Sequence, residues 1–270
     1  MKFIYSFDEA KKLTAEEIGN KSFNFLKLYP QFNVPMGAIV TSGTYDYFVK
    51  KNSLPSELEY QLNKNLSNFG EFFSVRSSST NEDSKKNSFA GQYSTFCGVK
   101  RKEISDYIIK VFQSLNSVRS NAYKKENSMG DDKMPVLINE MIPCEKSGVI
   151  FTADPVKNDR RRMILEAAYG LGEYVVSGII TPDNYNYNRD SKEVKLKLGS
   201  QNKKLIFENG KIKEISVKKE GSCLTKDEIN LIISQANDIE NLFQSPQDIE
   251  WGIFSNMLYI FQARAITGIK

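Results

Sequence analysis

The sequence predicts an α+β protein. Apolar residues at helical spacing dominate its first half, short strand-like runs dominate its second, and an Asn-Gly turn sits between two alternating arms. A length of 270 residues allows one large domain or two lobes around a cleft. A polar stretch at 127–133 marks a coarse boundary, with lobe one at about 1–127 and lobe two at about 133–247.

Residues 7–28 read as helix around a Gly19-Asn20-Lys21-Ser22 turn, after which Phe23 and Leu26 supply an apolar face. Pro30 and Pro35 bracket a loop. Ala38-Ile39-Val40 is a short strand, Thr41-Ser42 are good capping residues, and Tyr45, Phe48 and Val49 continue at helical spacing. Phe72-Phe73-Ser74-Val75-Arg76 is a strand running into a polar loop at 77–88, and 89–96 reads as a strand–turn–strand edge. Residues 104–123 form a helix by the spacing of Ile108, Val111, Phe112 and Leu115. Val136-Leu137-Ile138, Val149-Ile150-Phe151 and Met163-Ile164-Leu165 are short strands. Residues 192–217 alternate apolar and charged side chains about Asn209-Gly210, a hairpin signal. Thr225 and Glu228 make a capping box ahead of a helix through Phe243. Two last strands, 249–253 and 257–262, flank Ser255-Asn256.

Composition narrows the classes of function. Hydrophobic residues at 40% and charged residues at 26% are ordinary for a globular protein. The net charge of +4 is mild and the lysines are scattered among glutamates, so no nucleic-acid partner is expected. No run approaches the ~20 apolar residues of a membrane helix. Residues 1–10 hold one lysine and no long apolar run, unlike a signal peptide, so the expectation is a cytoplasmic location and no membrane. Cys97, Cys144 and Cys223 are far apart and form no Cys-x-x-Cys pair, which favours reduced thiols over a disulfide or zinc site. The chain contains no histidine, which excludes Ser-His-Asp and Cys-His catalysis, histidine metal ligands and a phosphohistidine within these residues.

Five constellations are candidates for chemistry. Arg76 leaves a strand into Ser77-Ser78-Ser79-Thr80, and its planar fork suits phosphate; a capping loop with a surface arginine fits the same residues. Small residues in Ser88-Phe89-Ala90-Gly91-Gln92 let backbone amides approach an anion, as would a plain hairpin turn, and the Gly-Lys-Ser/Thr ending of a Walker loop is missing. Lys21 opens a helix, where the N-terminus assists anion binding, although most lysines so placed are solvated. Gly170-Leu171-Gly172-Glu173 lacks the third glycine of a dinucleotide fingerprint and reads better as a structural loop. Strand alternation places Asp248 with Glu250 on one face, and Gln262 with Arg264 on one face of the next strand. If those faces coincide, hard oxygen ligands and a guanidinium converge in a set suited to Mg²⁺ and a triphosphate; a cross-strand ion pair is the plainer alternative.

The order of these segments resembles the nucleotide-binding domain of the phosphoenolpyruvate synthase, pyruvate phosphate dikinase and rifampin phosphotransferase family. Matching stretches begin at Gly19, Val34, Val75, Ser88, Asn139, Ser147, Gly170, Pro246 and Gln262 and cover essentially the whole chain. The resemblance implies an ATP-grasp fold with ATP in the cleft between two lobes and closing strands at 248–267 lining its site. It implies that Lys21 contacts phosphates, that Arg76 binds the β- and γ-phosphates, and that Gly91 and Thr95 sit in the loop over them. It places Asn139, Glu140 and Met141 on the adenine side. Glu250 and Gln262 would hold Mg²⁺, Arg264 would clamp the phosphates, and Asp248 is a further metal candidate. The implied chemistry splits ATP into AMP, phosphate and a phosphohistidine on a separate swivelling domain, through positioning and charge neutralisation. No such histidine lies in these 270 residues, so the implied reaction is the ATP half alone. A non-catalytic nucleotide sensor and the ATP-binding part of an antibiotic or amino acid kinase are the alternatives. Three motifs depart from the family pattern: Gly-Gly-Lys-Gly is Gly19-Asn20-Lys21-Ser22, Gln-Glu-Met is Asn139-Glu140-Met141, and the last motif continues with Ala265 instead of proline.

Overall fold

A computed structural model of the chain describes residues 2–80, 95–123 and 132–269. Two compact units are present, Met1–Pro30 with Pro35–Met141, and Gln31–Val34 with Ile142–Lys270. The α+β class read from the sequence holds in both. No helix among the described residues is long and apolar enough to cross a membrane.

The first unit runs β1 (Ile4–Ser6), α1 (Phe7–Ala10), α2 (Ala15–Ile18), α3 (Asn20–Leu28), β2 (Gly37–Val40), α4 (Ser42–Lys51), α5 (Leu58–Leu66), β3 (Phe72–Ser77), β4 (Thr95–Lys100), α6 (Ile104–Tyr123) and β5 (Val136–Glu140). Its antiparallel sheet has the order β1-β2-β5-β3-β4. Phe73, Val75, Val136 and Ile138 point to one face, where they pack with Tyr45, Leu58, Leu62, Ile108 and Phe112 from the helices. The helix at 104–123 keeps the bounds that its apolar spacing predicts. The stretch at 127–133 is not where the two sheets part. β5 follows it yet lies between β2 and β3, because Val136, Leu137 and Ile138 complete their backbone ladders and their burial there.

The second unit runs β6 (Lys146–Phe151), β7 (Arg162–Tyr169), α7 (Glu173–Val176), β8 (Asp183–Asn188), β9 (Val194–Lys197), β10 (Lys203–Glu208), β11 (Lys211–Ser216), α8 (Lys226–Phe243), β12 (Gln247–Phe254) and β13 (Met257–Ala265). Six antiparallel strands have the order β13-β12-β6-β7-β8-β9, and β10 pairs β11 separately. Residues 31–34 run beside β13, where the Ile260 amide donates to the Asn33 carbonyl at 2.9 Å and Asn33 Nδ2 donates to the Leu258 carbonyl at 3.1 Å. Asn209 and Gly210 have φ of 51° and 72°, and Ser255 and Asn256 have 49° and 61°. Positive φ at both central residues is the type I′ signature that matches strand twist, so two local turns create two hairpins.

Helix α8 starts at the predicted capping box of Thr225 and Glu228. It lies on the sheet face of Ile249, Trp251, Leu165 and Tyr185. Glu228 takes the Lys146 ammonium at 2.7 Å, and the Leu224 amide donates to the Tyr185 hydroxyl at 3.2 Å. The opposite face carries the polar residues of β12 and β13.

A buried carboxylate ties the loops around β8. Asp183 is fully buried, receives Lys219 Nζ at 2.7 Å, and accepts from the backbone amides of Gly199 and Cys223 at 2.7 and 2.9 Å. Burial pushes its carboxyl up, but the Lys219 ammonium and the two amides outweigh that and hold it below the ordinary value of 3.8. The Gly170-Leu171-Gly172 loop is joined to β10. The Leu171 amide donates to the Leu205 carbonyl at 2.9 Å, and Gly170, at φ +88°, leaves no room for a Cβ beside that carbonyl.

Candidate functional site

The candidate residues gather in two clusters, one in each unit. In the first, Arg76 and Thr95 stand opposite each other across β3 and β4. Alternation along β3 buries Phe73, Val75 and Ser77 and turns Ser74 and Arg76 to the other face. Lys21 sits in the first turn of α3 and is 7% exposed, with its Nζ donating to the Ser77 carbonyl at 2.9 Å. The lysine thus lies beside the strand end that carries Arg76.

That closeness comes from Gly19. Its φ of +77° is left-handed, and a Cβ there would fall inside the van der Waals shell of the Ser78 carbonyl oxygen. The Ser78 hydroxyl donates to the Ile18 carbonyl and accepts from the Ser22 amide, both at 2.9 Å. The start of α3 is therefore bound to the Arg-Ser-Ser-Ser-Thr segment. Gly91 lies outside the described residues.

Asn139 and Glu140 end β5 in the same unit, and Met141 follows them. Asn139 is 3% exposed and its Nδ2 donates to the Pro35 carbonyl at 2.9 Å. Glu140 accepts from the Gly70 amide at 2.7 Å, and the Met141 sulfur lies 3.6 Å from the Ser74 hydroxyl. Asn139 and Ser74 are register partners, so Asn139 shares a face with Arg76, whereas Glu140, the partner of Phe73, belongs to the other face.

The second cluster is on the polar face of the second sheet. The register pairs Asp248 with Arg264 and Glu250 with Gln262, so the two faces inferred from alternation coincide. Arg264 holds Asp248 Oδ2 through Nε at 2.8 Å and Nη2 at 2.6 Å. Asp248 therefore orients the guanidinium, whatever else it does. Glu250 and Gln262 present a carboxylate and an amide as direct cross-strand neighbours, whose Cβ atoms stand about 5 Å apart. Both are hard oxygen donors of the kind Mg²⁺ takes. Among the described residues no group of three or more His, Cys, Asp or Glu side chains is placed to hold a metal.

One residue escaped the sequence reading. Following the register across β6 and β7, the row through Gln262 and Glu250 continues to Val149, Glu166 and Asn184. Glu166 thus shares the face of Glu250, two strands away, about 10 Å at ordinary strand spacing. Asn184 Nδ2 meets its Oε1 at the long limit of 3.5 Å. The signal was available: a carboxylate at the centre of the otherwise apolar Met163-Ile164-Leu165-Glu166-Ala167-Ala168 run. Phe151 and Ile164 lie beside it and give the face an apolar floor.

Comparison with known proteins agrees along the chain. The family model described as pyruvate phosphate dikinase, AMP/ATP-binding domain, matches residues 50–270. The uncharacterized phosphotransferase YvkC of Bacillus subtilis is 33% identical over 282 residues, which covers 93% of this chain and 33% of that protein. A probable phosphoenolpyruvate synthase of Archaeoglobus fulgidus is 35% identical over 206 residues, covering 74% of this chain and 27% of that one. The rifampicin phosphotransferase of Bacillus cereus is 30% identical over 312 residues, covering 98% and 36%. The chain spans about a third of the length of these curated relatives. A solved D-alanine–D-alanine ligase from Bacillus anthracis overlays with a TM-score of 0.42 at 9% identity, over 93% of this chain and 57% of that one, too slight a likeness to argue from.

Proposed function

The chain belongs to the pyruvate phosphate dikinase AMP/ATP-binding domain family, and on that footing we propose that it binds Mg-ATP in an ATP-grasp arrangement and passes a phosphoryl group to a histidine outside these residues. The observation that carries the reading is the cross-strand set of Asp248 with Arg264 and Glu250 with Gln262.

Each residue then has a defined task. Arg264, oriented by Asp248, presents its fork to phosphate oxygens. Glu250 and Gln262 are the protein's ligands to Mg²⁺, with Asp248 beside them as a further candidate. Oxygen donors of this kind would hold the ion against a nucleotide. The ion would neutralise charge on the transferring group. Lys21 and Arg76 bind phosphate from the first cluster, and Thr95 and Gly91 belong to the loop beside them. Asn139, Glu140 and Met141 take the adenine side, and Glu166 joins the polar face as a ligand-facing carboxylate. Such a constellation positions and neutralises; it forms no covalent intermediate of its own.

The acceptor histidine must come from another domain or protein, since the chain has none. Family membership supports the donor side. Dependence on ATP fits a cytoplasmic setting.

Calorimetric titration with ATP and Mg²⁺ tests the reading on the wild type, Lys21→Ala, Arg264→Ala and Glu250→Gln. Micromolar affinity weakened by the first two, with the Mg²⁺ dependence lost in the third, is the expected result. A folded wild type that binds no ATP overturns it.

A further inference from the structure

Next to the first cluster lies a carboxylate that no motif singled out. Asp132 is 1% exposed. Its Oδ1 accepts from the Ser79 hydroxyl at 2.8 Å and from the Thr80 hydroxyl at 2.9 Å. Hydroxyl donors to a carboxylate make charge-assisted bonds, stronger than neutral ones, and a buried acid without them is costly.

The bonds extend on both sides of Ser79 and Thr80. On one side the Thr80 hydroxyl accepts from the Lys133 amide at 3.2 Å, the Thr80 amide donates to the Lys133 carbonyl at 3.2 Å, and the Ser78 amide donates to the Pro135 carbonyl at 3.0 Å. On the other side Asn20 Nδ2 donates to the Thr80 carbonyl at 2.9 Å, and the Asn20 amide donates to the Ser79 carbonyl at 3.2 Å. Lys21 then reaches the Ser77 carbonyl. Residues 77–80 are thus held between 132–135 and the start of α3. Ser79 and Thr80 are the only positions of that segment whose side chains bond Asp132 among the described residues.

We propose that Asp132 is the positioning residue of the phosphate-binding arm. It fixes Ser79 and Thr80, and through them the placement of Lys21 and Arg76 toward a polyphosphate, without touching the nucleotide itself. The proposal rests on the nucleotide-binding reading given above.

The test compares dissociation constants of the whole chain for Mg-ATP and for adenosine, which has the base and ribose but no phosphate. Asp132→Ala is expected to weaken Mg-ATP about tenfold, the scale of a small misplacement of binding groups, and to leave adenosine unchanged. Asp132→Asn keeps an acceptor oxygen for both hydroxyls and is expected to bind Mg-ATP within about threefold of wild type. If Asp132→Ala does not fold, Ser79→Ala removes one bond to Asp132, Thr80→Val removes the other together with the acceptor of the Lys133 amide, and both carry the same comparison. Equal losses for Mg-ATP and adenosine, or no loss for Mg-ATP, overturn the positioning role while the nucleotide reading stands. A wild type that binds no Mg-ATP overturns both.

Discussion

Arg264 grips a single oxygen of Asp248 with two of its nitrogens, Nε at 2.8 Å and Nη2 at 2.6 Å. The carboxylate fixes the plane of the guanidinium along the strand pair. Lysine has the charge but no fork, and cannot be held in this way. Arg264→Lys is therefore expected to raise the Mg-ATP dissociation constant about tenfold, roughly 1.4 kcal/mol, with little change in fold. Calorimetry on the purified variant reads this directly, and an unchanged constant would remove Arg264 from the phosphate site.

Gly19 has no space for a side chain. Its φ of +77° disfavours L-residues, and an added Cβ would press on the Ser78 backbone, which cannot yield as a flexible side chain would. Gly19→Ala is expected to cost about 3 kcal/mol by combined strain and overpacking. Urea unfolding followed by circular dichroism measures it. A loss under about 0.5 kcal/mol, the scale of a neutral surface change, would mean that α3 and the serine segment can separate freely.

Asp183 predicts a pH dependence. Its carboxyl is held below the ordinary value of 3.8, so the folded state binds its proton more weakly than the unfolded chain does. The stabilisation is then fully present above 3.8 and is lost as the pH falls through the depressed folded value. Asp183→Asn leaves Lys219 buried without its partner, which is expected to cost about 3 kcal/mol near neutrality. The gap between wild type and variant should close only in that acid range. A gap that stays constant down to the acid transition contradicts the ion pair.

The three thiols should differ in reactivity. Cys97 is exposed, whereas Cys144 and Cys223 are buried. Burial, reinforced by the nearby Asp183 charge, pushes the Cys223 thiol up to about 12. In native protein near pH 8, iodoacetamide is expected to label Cys97 alone, with the other two reacting only in denaturant. Mass spectrometry of the digest distinguishes them, and rapid native labelling of Cys223 would show that the loops around Asp183 open.

Local signals carried much of the fold. The Asn209-Gly210 turn, the Thr225 and Glu228 capping box and the last two strands all specify their geometry within a few residues, and each stands where the sequence places it. Leu58, Leu62 and Leu66 recur every four residues, yet α5 was passed over because polar residues crowd between them. β8 was missed for another reason: Asp183-Asn184-Tyr185-Asn186-Tyr187-Asn188 shows no aliphatic side, and its buried face is made by tyrosine. The place of β5 between β2 and β3 depends on partners far apart in sequence, which no local pattern reveals. In the site, alternation identified the two pairs on their separate strands but not their register. Counting back from the Ser255-Asn256 turn in a regular ladder would put Phe261, not Gln262, opposite Glu250. The observed ladder pairs Trp251 with Ile260 and Glu250 with Gln262, passing over Phe261 as a bulge.

That bulge makes β13 a strand with one spare position. Its turn half, through Ile260, and its site half, from Gln262, are each in step with β12, and Phe261 absorbs the difference. Losing a residue usually exchanges the two faces of a strand. Loss of Phe261 would not, since the same partners then meet in an unbroken ladder; its ring lies near Gly252. The hairpin therefore accommodates the loss of one residue at the bulge while Gln262 and Arg264 keep their partners Glu250 and Asp248.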